Sequence, residues 1–321
     1  MKLNRKEMAA RVSILYYEKN KSQNEIAKEL DISRSYVSQL LTYAKEMGLV
    51  KITVHIDEYN LRMIKKEIEF KSKFPNLKQI YIMFSENEEF SSDNIGKFAS
   101  PYISELINHS KVIGINLGNA IDKTIKQLKF EDFIDSNHKK VVQTMGGFSM
   151  SHVHASSHPN DLVNGLCQVL KSECYFLNSP AILDNAALRQ ELLNEKSIKE
   201  VVNMWDKIDL ALIGIGVMDS RSRLFDLLDD NMVTQMKENN IACDLNANFF
   251  DVEGKYVSLF DHHKISIPYE KLKNIKKKVV ISYGKYKDKA ILSALKGNMI
   301  DVLITDSITI DAIEKNLREA F

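Results

Sequence analysis

Between positions 33 and 43 the chain reads Ser33-Arg34-Ser35-Tyr36-Val37-Ser38-Gln39-Leu40-Leu41-Thr42-Tyr43. On a helix, Arg34, Ser35, Tyr36, Ser38, Gln39, Thr42 and Tyr43 form a side full of hydrogen-bonding groups and free of carboxylates. Such a side suits the edges of DNA bases, because Arg and Gln read purines through paired hydrogen bonds. Tyr17 and Gln23 flank it at positions suited to phosphate contacts, which fix register without reading sequence. Each residue also has a plainer reading. Tyr17 and Gln23 serve equally well in packing and capping, and many polar helix faces touch only water.

Two short helices must hold that side in place. Ser22 and Glu25 have capping-box spacing, so a helix starts there and carries Ile26, Ala27 and Leu30 on one side. Asp31-Ile32-Ser33 interrupts it, and Ser33 can cap a second helix running to about Met47. Val37, Leu40, Leu41 and Ala44 recur on that helix's inner side. The pair predicts a helix-turn-helix whose second helix enters a major groove. A first helix over 5–19 supports it through Met8, Val12, Leu15 and Tyr16, and residues 49–56 alternate like a small β wing. Residues 1–56 hold ten Lys/Arg against six Asp/Glu, whereas the remainder holds 34 against 37. A basic segment on a neutral chain favours a polyanion partner for the segment and another task for the rest.

Leu61, Ile64 and Ile68 predict a connecting helix over 57–74 that helps pair subunits. Beyond it, apolar strands are expected at 79–84, 112–117, 141–145, 175–177, 210–215, 279–282 and 302–305. Helices at 93–108, 160–171, 197–205, 231–239 and 287–296 lie between them. This alternation predicts an α/β domain with a doubly wound parallel sheet. Residues 241–251 and 256–260 read as an inserted hairpin. Several strands end in glycine or a small polar residue: Gly118, Gly146-Gly147, Gly214-Ile215-Gly216 and Tyr283-Gly284. Ligands of open α/β sheets bind at such carboxyl ends. No Walker loop is present and Gly114-Ile-Asn-Leu-Gly118 is not a dinucleotide fingerprint, so no cofactor is expected.

A chain of 321 residues accommodates one small and one large domain. No apolar run approaches the roughly 20 residues of a membrane helix. Cys167, Cys174 and Cys243 form no CxxC pair and are read as reduced thiols of a cytoplasmic protein, with neither disulfides nor zinc.

The arrangement resembles the SorC family of bacterial transcriptional regulators, which join a helix-turn-helix to a sugar-binding domain similar to sugar-phosphate isomerases. The resemblance spans almost the whole chain. It rests on Leu15-Tyr-Tyr17, Ser22-Gln-x-Glu-Ile-Ala27, Ser33-Arg-x-x-Val-Ser-x-Leu-Leu41 and Gly48-Leu-Val-x-Ile52. In the second domain it rests on Gly114-Ile-Asn-Leu-Gly118, Gly146-Gly147, Asp209-Leu-Ala-Leu-Ile-Gly-Ile-Gly216, Asp244, Phe249-Phe-Asp251, Lys287-x-x-Ala-Ile291 and Thr305-Asp306.

The resemblance implies a phosphorylated sugar or sugar alcohol as effector, with Lys287 facing the phosphate and Asp244 accepting from hydroxyls. A lysine after a glycine turn reaches a bound phosphate, and a carboxylate accepts from vicinal hydroxyls. The effector set so expected is Gly118, Asn119, Gly146, Gly147, Phe148, His154, Asp244, Asn248, Tyr283, Gly284 and Lys287. His152 and His158 accompany His154 after the glycine pair, without a carboxylate or cysteine that would complete a metal site. Relatives often carry a Gly-Arg-Thr-like turn where this chain has Gly118-Asn119-Ala120, which favours one phosphate or a compact polyol.

The reading divides the chain into a helix-turn-helix DNA-binding domain at 1–56, the connecting helix at 57–74 and an effector-binding domain at 75–321. The expected partners are double-stranded operator DNA, a small sugar phosphate or polyol, and further copies of the chain in a dimer or tetramer. No membrane partner is expected. The alternative is a sugar-phosphate isomerase-like enzyme with a DNA-binding appendage, using Asp244, Asp251 or a histidine as general base.

Overall fold

The computed structural model describes residues 4–50, 58–148, 158–219, 221, 222, 224 and 227–319. It divides into two compact units, Met1–Asp57 and Glu58–Phe321.

In the first unit, Asn4 and Glu7 form a capping box that starts α1 (Arg5–Ser13), which continues through a wider turn over Ile14–Glu18. Ser22 and Glu25 form the expected second box at α2 (Gln23–Glu29). The chain then turns at Asp31, whose φ of 51° is left-handed, and Ile32 N–H closes the turn on Ala27 O at 3.0 Å. Ser33 Oγ accepts from Tyr36 N–H at 3.1 Å and opens α3 (Arg34–Glu46). Ala9, Val12, Ile26, Val37, Leu40, Leu41 and Ala44 form one buried cluster. Most of the strand expected at 49–56 lies outside the described residues.

The second unit opens with α4 (Glu58–Lys73), which buries Met63 and Phe70 in the same core as Ile80 and Ile82. Glu67 on α4 accepts from Ile82 N–H at 2.7 Å, occupying a donor on the edge strand. The strands are β1 (Gln79–Met83), β2 (Val112–Ile115), β3 (Lys140–Gln143), β4 (Glu173–Tyr175), β5 (Leu210–Ile213), β6 (Gly216–Val217), β7 (Ile241–Leu245), β8 (Asn248–Asp251), β9 (Tyr256–Val257), β10 (Lys277–Ile281) and β11 (Val302–Asp306). The helices that follow α4 are α5 (Glu88–Asn108), α6 (Asn119–Ile125), α7 (Pro159–Leu170), α8 (Ala186–Asn194), α9 (Lys196–Met204), α10 (Asp230–Glu238), α11 (Tyr269–Asn274), α12 (Asp288–Lys296) and α13 (Ser307–Glu319).

Strands form at six of the seven expected places, and the seventh, β4, lies two residues ahead of the expected 175–177. All seven pair in one sheet of order β1-β11-β10-β5-β2-β3-β4, and every pairing is parallel. Apolar clusters cover both faces. That is why the strands read as nearly continuous apolar runs. From β2 the chain winds outward to β3 and β4; from β5 it winds the other way to β10 and β11. The neighbours β2 and β5 therefore flank a topological switch point, where open α/β sheets bind ligands. The expected hairpin belongs to a small antiparallel sheet, β6-β7-β8-β9, whose first strand follows β5 directly.

One expectation is corrected. Cys167 and Cys174 are joined as a disulfide with Cα atoms 6.1 Å apart, rather than standing as separate thiols. The left-handed Lys171, φ 52°, ends α7 and folds the chain back so that the two meet. Cys243 is free and buried, and burial pushes its thiol up to about 12. Among the described residues no helix is long and apolar enough to cross a membrane.

Candidate functional site

The polar side of α3 is set by its buried side. With Val37, Leu40, Leu41 and Ala44 inward, Arg34, Ser35, Ser38, Gln39 and Thr42 are exposed. Ser33 is committed to capping, and Thr42 Oγ1 donates back to Ser38 O at 3.1 Å. Tyr36 and Tyr43 are half-buried against the cluster; the Arg5 guanidinium sits 4.6 Å from the Tyr43 ring centroid. Tyr17 packs edge-on against Tyr16 with centroids 4.9 Å apart, and Gln23 is the first residue of α2. Tyr16, Tyr17, Asn20, Lys21, Ser22 and Glu25 border a recess before that helix.

In the second unit a cavity of about 120 Å³ opens at the carboxyl ends of β2, β5 and β10. That is smaller than the roughly 300–1,000 Å³ of sites for drug-sized ligands, so it suits a compact occupant. Gly118, Asn119, Asp244, Tyr283 and Lys287, all expected from sequence, line it together with Asn116 and Gly214–Gly216. Asn116 ties two strand ends together, accepting from Gly214 N–H at 2.8 Å and donating to Gly214 O at 3.3 Å. Gly284 turns the chain into the cavity with a φ of 99°, a conformation that glycine adopts without strain.

Asp244 lies on β7 opposite Gly216 and is 5% exposed. Its Oδ1 is buried with no hydrogen-bond partner among the described residues. Burial raises its carboxyl to about 7, opposed by the Ala247 amide and the charges of Lys264 and Lys287. A buried acceptor left open is costly, and a ligand hydroxyl would relieve that cost. Lys287 Nζ donates to Ile215 O at 2.7 Å.

Sequence reasoning missed Arg221 and Tyr286. Arg221 Nε donates to Asp219 Oδ1 at 2.9 Å, and its guanidinium stands 4.7 Å from the Tyr286 ring centroid, both residues lining the cavity. Its loop after β6 has no periodicity to mark it; only its closeness to the Gly214-Ile215-Gly216 strand end pointed there.

Other expected residues sit elsewhere. Gly147 and Phe148 line a separate recess with His158, Asn160 and Leu177–Pro180. Gly146 fits against Pro180, where an added Cβ would stand 2.4 Å from the carbonyl oxygen. Asn248 is fully buried, its amide donating to Leu245 O at 3.1 Å in the hairpin and to Ile267 O at 3.0 Å beyond it. His152 and His154 lie outside the described residues. Among the described residues no group of His, Cys, Asp and Glu could hold a metal.

A helix-turn-helix unit joined to an α/β unit with a polar cavity at its switch point defines the class of ligand-responsive regulators. A family profile described as "Putative sugar-binding domain" matches residues 59–314, and one for region 4 of sigma-70 matches residues 9–46. The chain belongs to the SorC family of bacterial transcriptional regulators. It is 28% identical to the sorbitol operon regulator of Klebsiella pneumoniae, over 96% of this chain and 98% of that one. It is 24% identical to the deoxyribonucleoside regulator of Bacillus subtilis, over 99% and 100%. The crystal structure of full-length SorC from Klebsiella pneumoniae superposes with a TM-score of 0.72 at 26% identity, covering 97% of this chain and 99% of that one. These relatives are regulators, so the enzyme alternative is set aside.

Proposed function

We propose that this protein regulates transcription of a carbohydrate operon, and that a phosphorylated sugar or polyol in the β2–β5–β10 cavity sets its hold on double-stranded operator DNA. The observation that carries this reading is Asp244: a buried carboxylate oxygen without a partner among the described residues, in a small cavity that Lys287 also lines. Asp244 accepts from effector hydroxyls. Lys287 leaves the Ile215 carbonyl to meet the phosphate, with Arg221 as a second cation. Gly118, Asn119 and Tyr283 complete the lining. The exposed residues of α3 read base edges in a major groove, and Tyr17 and Gln23 meet phosphates. Working on DNA, the protein acts in the cytoplasm.

Specific operators are usually held by symmetric pairs of helix-turn-helix modules. Leu61, Ile64 and Ile68 recur at three- and four-residue steps on α4, and the two isoleucines are 40% and 68% exposed. This stripe pairs two copies of the chain in a homodimer or tetramer. A thermal-shift screen of phosphorylated and unphosphorylated sugars and polyols tests the effector class. A bound ligand at 100 times its Kd adds about 2.7 kcal/mol of stability. Stabilisation by unphosphorylated compounds alone would refute the phosphate.

A further inference from the structure

Lys264 is 4% exposed and outside the cavity lining, yet all three donors of its ammonium are occupied. Nζ donates to Ala247 O at 2.9 Å and to Asn248 Oδ1 at 3.0 Å, and it pairs with Asp261 Oδ1 at 2.6 Å. Burying an ammonium costs free energy unless its donors are satisfied, so a lysine kept here needs a reason. The reason lies in the turn it grips. Asn246 and Ala247 join β7 to β8, and both are left-handed, with φ of 58° and 56°. Asparagine tolerates that conformation; alanine is strained in it. The Ala247 peptide is held from both sides. Its carbonyl accepts from Lys264, and its amide faces the Asp244 carboxylate and favours its charged form.

We propose that Lys264 is a positioning residue for the cavity carboxylate, acting through the Ala247 peptide to fix the Asp244 hairpin and setting a buried positive charge behind it. Lys264 itself is anchored through its backbone, which bridges Ile182 and accepts from Arg189 Nε at 2.7 Å. The charged groups facing Asp244 are Lys264 and Lys287, with the Cys243 thiol beside it. Those facing Lys264 are Asp261, Asp244 and Arg189, with the Tyr256 ring 5.7 Å away. Burial alone would raise the Asp261 carboxyl, but hydrogen bonds from Lys264, Ser258 and Tyr256 outweigh it and hold the group below its usual range. Asp261 therefore keeps its negative charge and offsets part of the cost of burying Lys264. The inference rests on Asp244 being the effector contact, but its test needs no effector.

The test is a pH titration of the full-length protein, labelled with ¹³C at aspartate carboxyls and assigned by its loss in Asp244→Asn. In the wild type the Asp244 signal should titrate near 7. Lys264→Gln, which keeps a hydrogen bond and drops the charge, and Lys264→Met combined with Asp261→Asn, which leaves no unpaired charge, both move the midpoint up by about one unit or more. Lys264→Arg holds it near the wild-type value. A purely structural lysine would leave the midpoint unmoved, and an unmoved midpoint in either charge-removing variant overturns the proposal. Failure of wild-type protein to bind any sugar phosphate or polyol would instead count against the effector reading.

Discussion

A β-carbon on Gly216 would stand 2.7 Å from Asp244 Oδ2, across the antiparallel pair that joins β6 to β7. This glycine, the first residue of β6, makes room for the cavity carboxylate. Gly216→Ala should push Asp244 out of place, destabilising the fold by about 1–3 kcal/mol. Denaturant melts would show this directly. A Gly216→Ala protein that melts and binds effector like the wild type would remove the steric argument.

The raised Asp244 carboxyl has a consequence for stability. Its group titrates at about 7 in the native state against 3.8 for an ordinary aspartate. Between those values the native state holds a proton that the unfolded chain has released, so stability falls as pH rises through that window. The penalty is absent below the lower value and complete above the upper one. Asp244→Asn should therefore be more stable than the wild type at pH 8, on the order of 1–3 kcal/mol, and should lose that advantage near pH 4. Melting both proteins across pH 4–8 checks the sign.

Lys287→Ala should weaken binding of a phosphorylated effector roughly 10- to 150-fold, since a charge-assisted hydrogen bond is worth about 1.5–3 kcal/mol. Lys285→Ala and Lys289→Ala are the controls. Equal losses from all three, by calorimetry, would point to a general basic field instead of a defined contact.

On the DNA side, Gln39→Ala should cost about 1–3 kcal/mol against the cognate site and relax preference at one base position. Arg34→Ala should act similarly. Operator selection that survives the double substitution would contradict the docking of α3.

For assembly, Ile68→Glu should shift the protein to a smaller species in sedimentation, because a charge would replace an exposed isoleucine of the pairing stripe. An unchanged sedimentation coefficient would place the subunit contact elsewhere.

What could be read beforehand follows from which signals are local. Ser22, Glu25 and Ser33 announced the helix-turn-helix because capping chemistry is settled within four residues. The parallel sheet showed because strands buried on both faces must be apolar throughout. Asp244 and Lys287 were reached through resemblance and strand-end position, and they do meet at one cavity. Gly147 and Phe148 border a recess apart from that cavity, and sequence does not tell which strand ends are neighbours before the order β10-β5-β2-β3 is known. Arg221 comes from an irregular loop, and Asn248 looked like a polar contact although hairpin carbonyls use its amide. The Cys167–Cys174 pair depends on one left-handed residue, Lys171, that no spacing rule flags.

The most direct measurement is fluorescence anisotropy of a DNA duplex selected from random sequence by the wild-type protein, titrated with protein with and without a phosphorylated sugar or polyol that stabilises it. An effector shifts the DNA equilibrium only by its unequal affinity for the two states. We expect the wild-type affinity for DNA to change with effector. Asp244→Asn should keep the effector-free affinity and show no change. If Asp244→Asn responds to the effector as the wild type does, the cavity at the ends of β2, β5 and β10 is not the site that controls DNA binding.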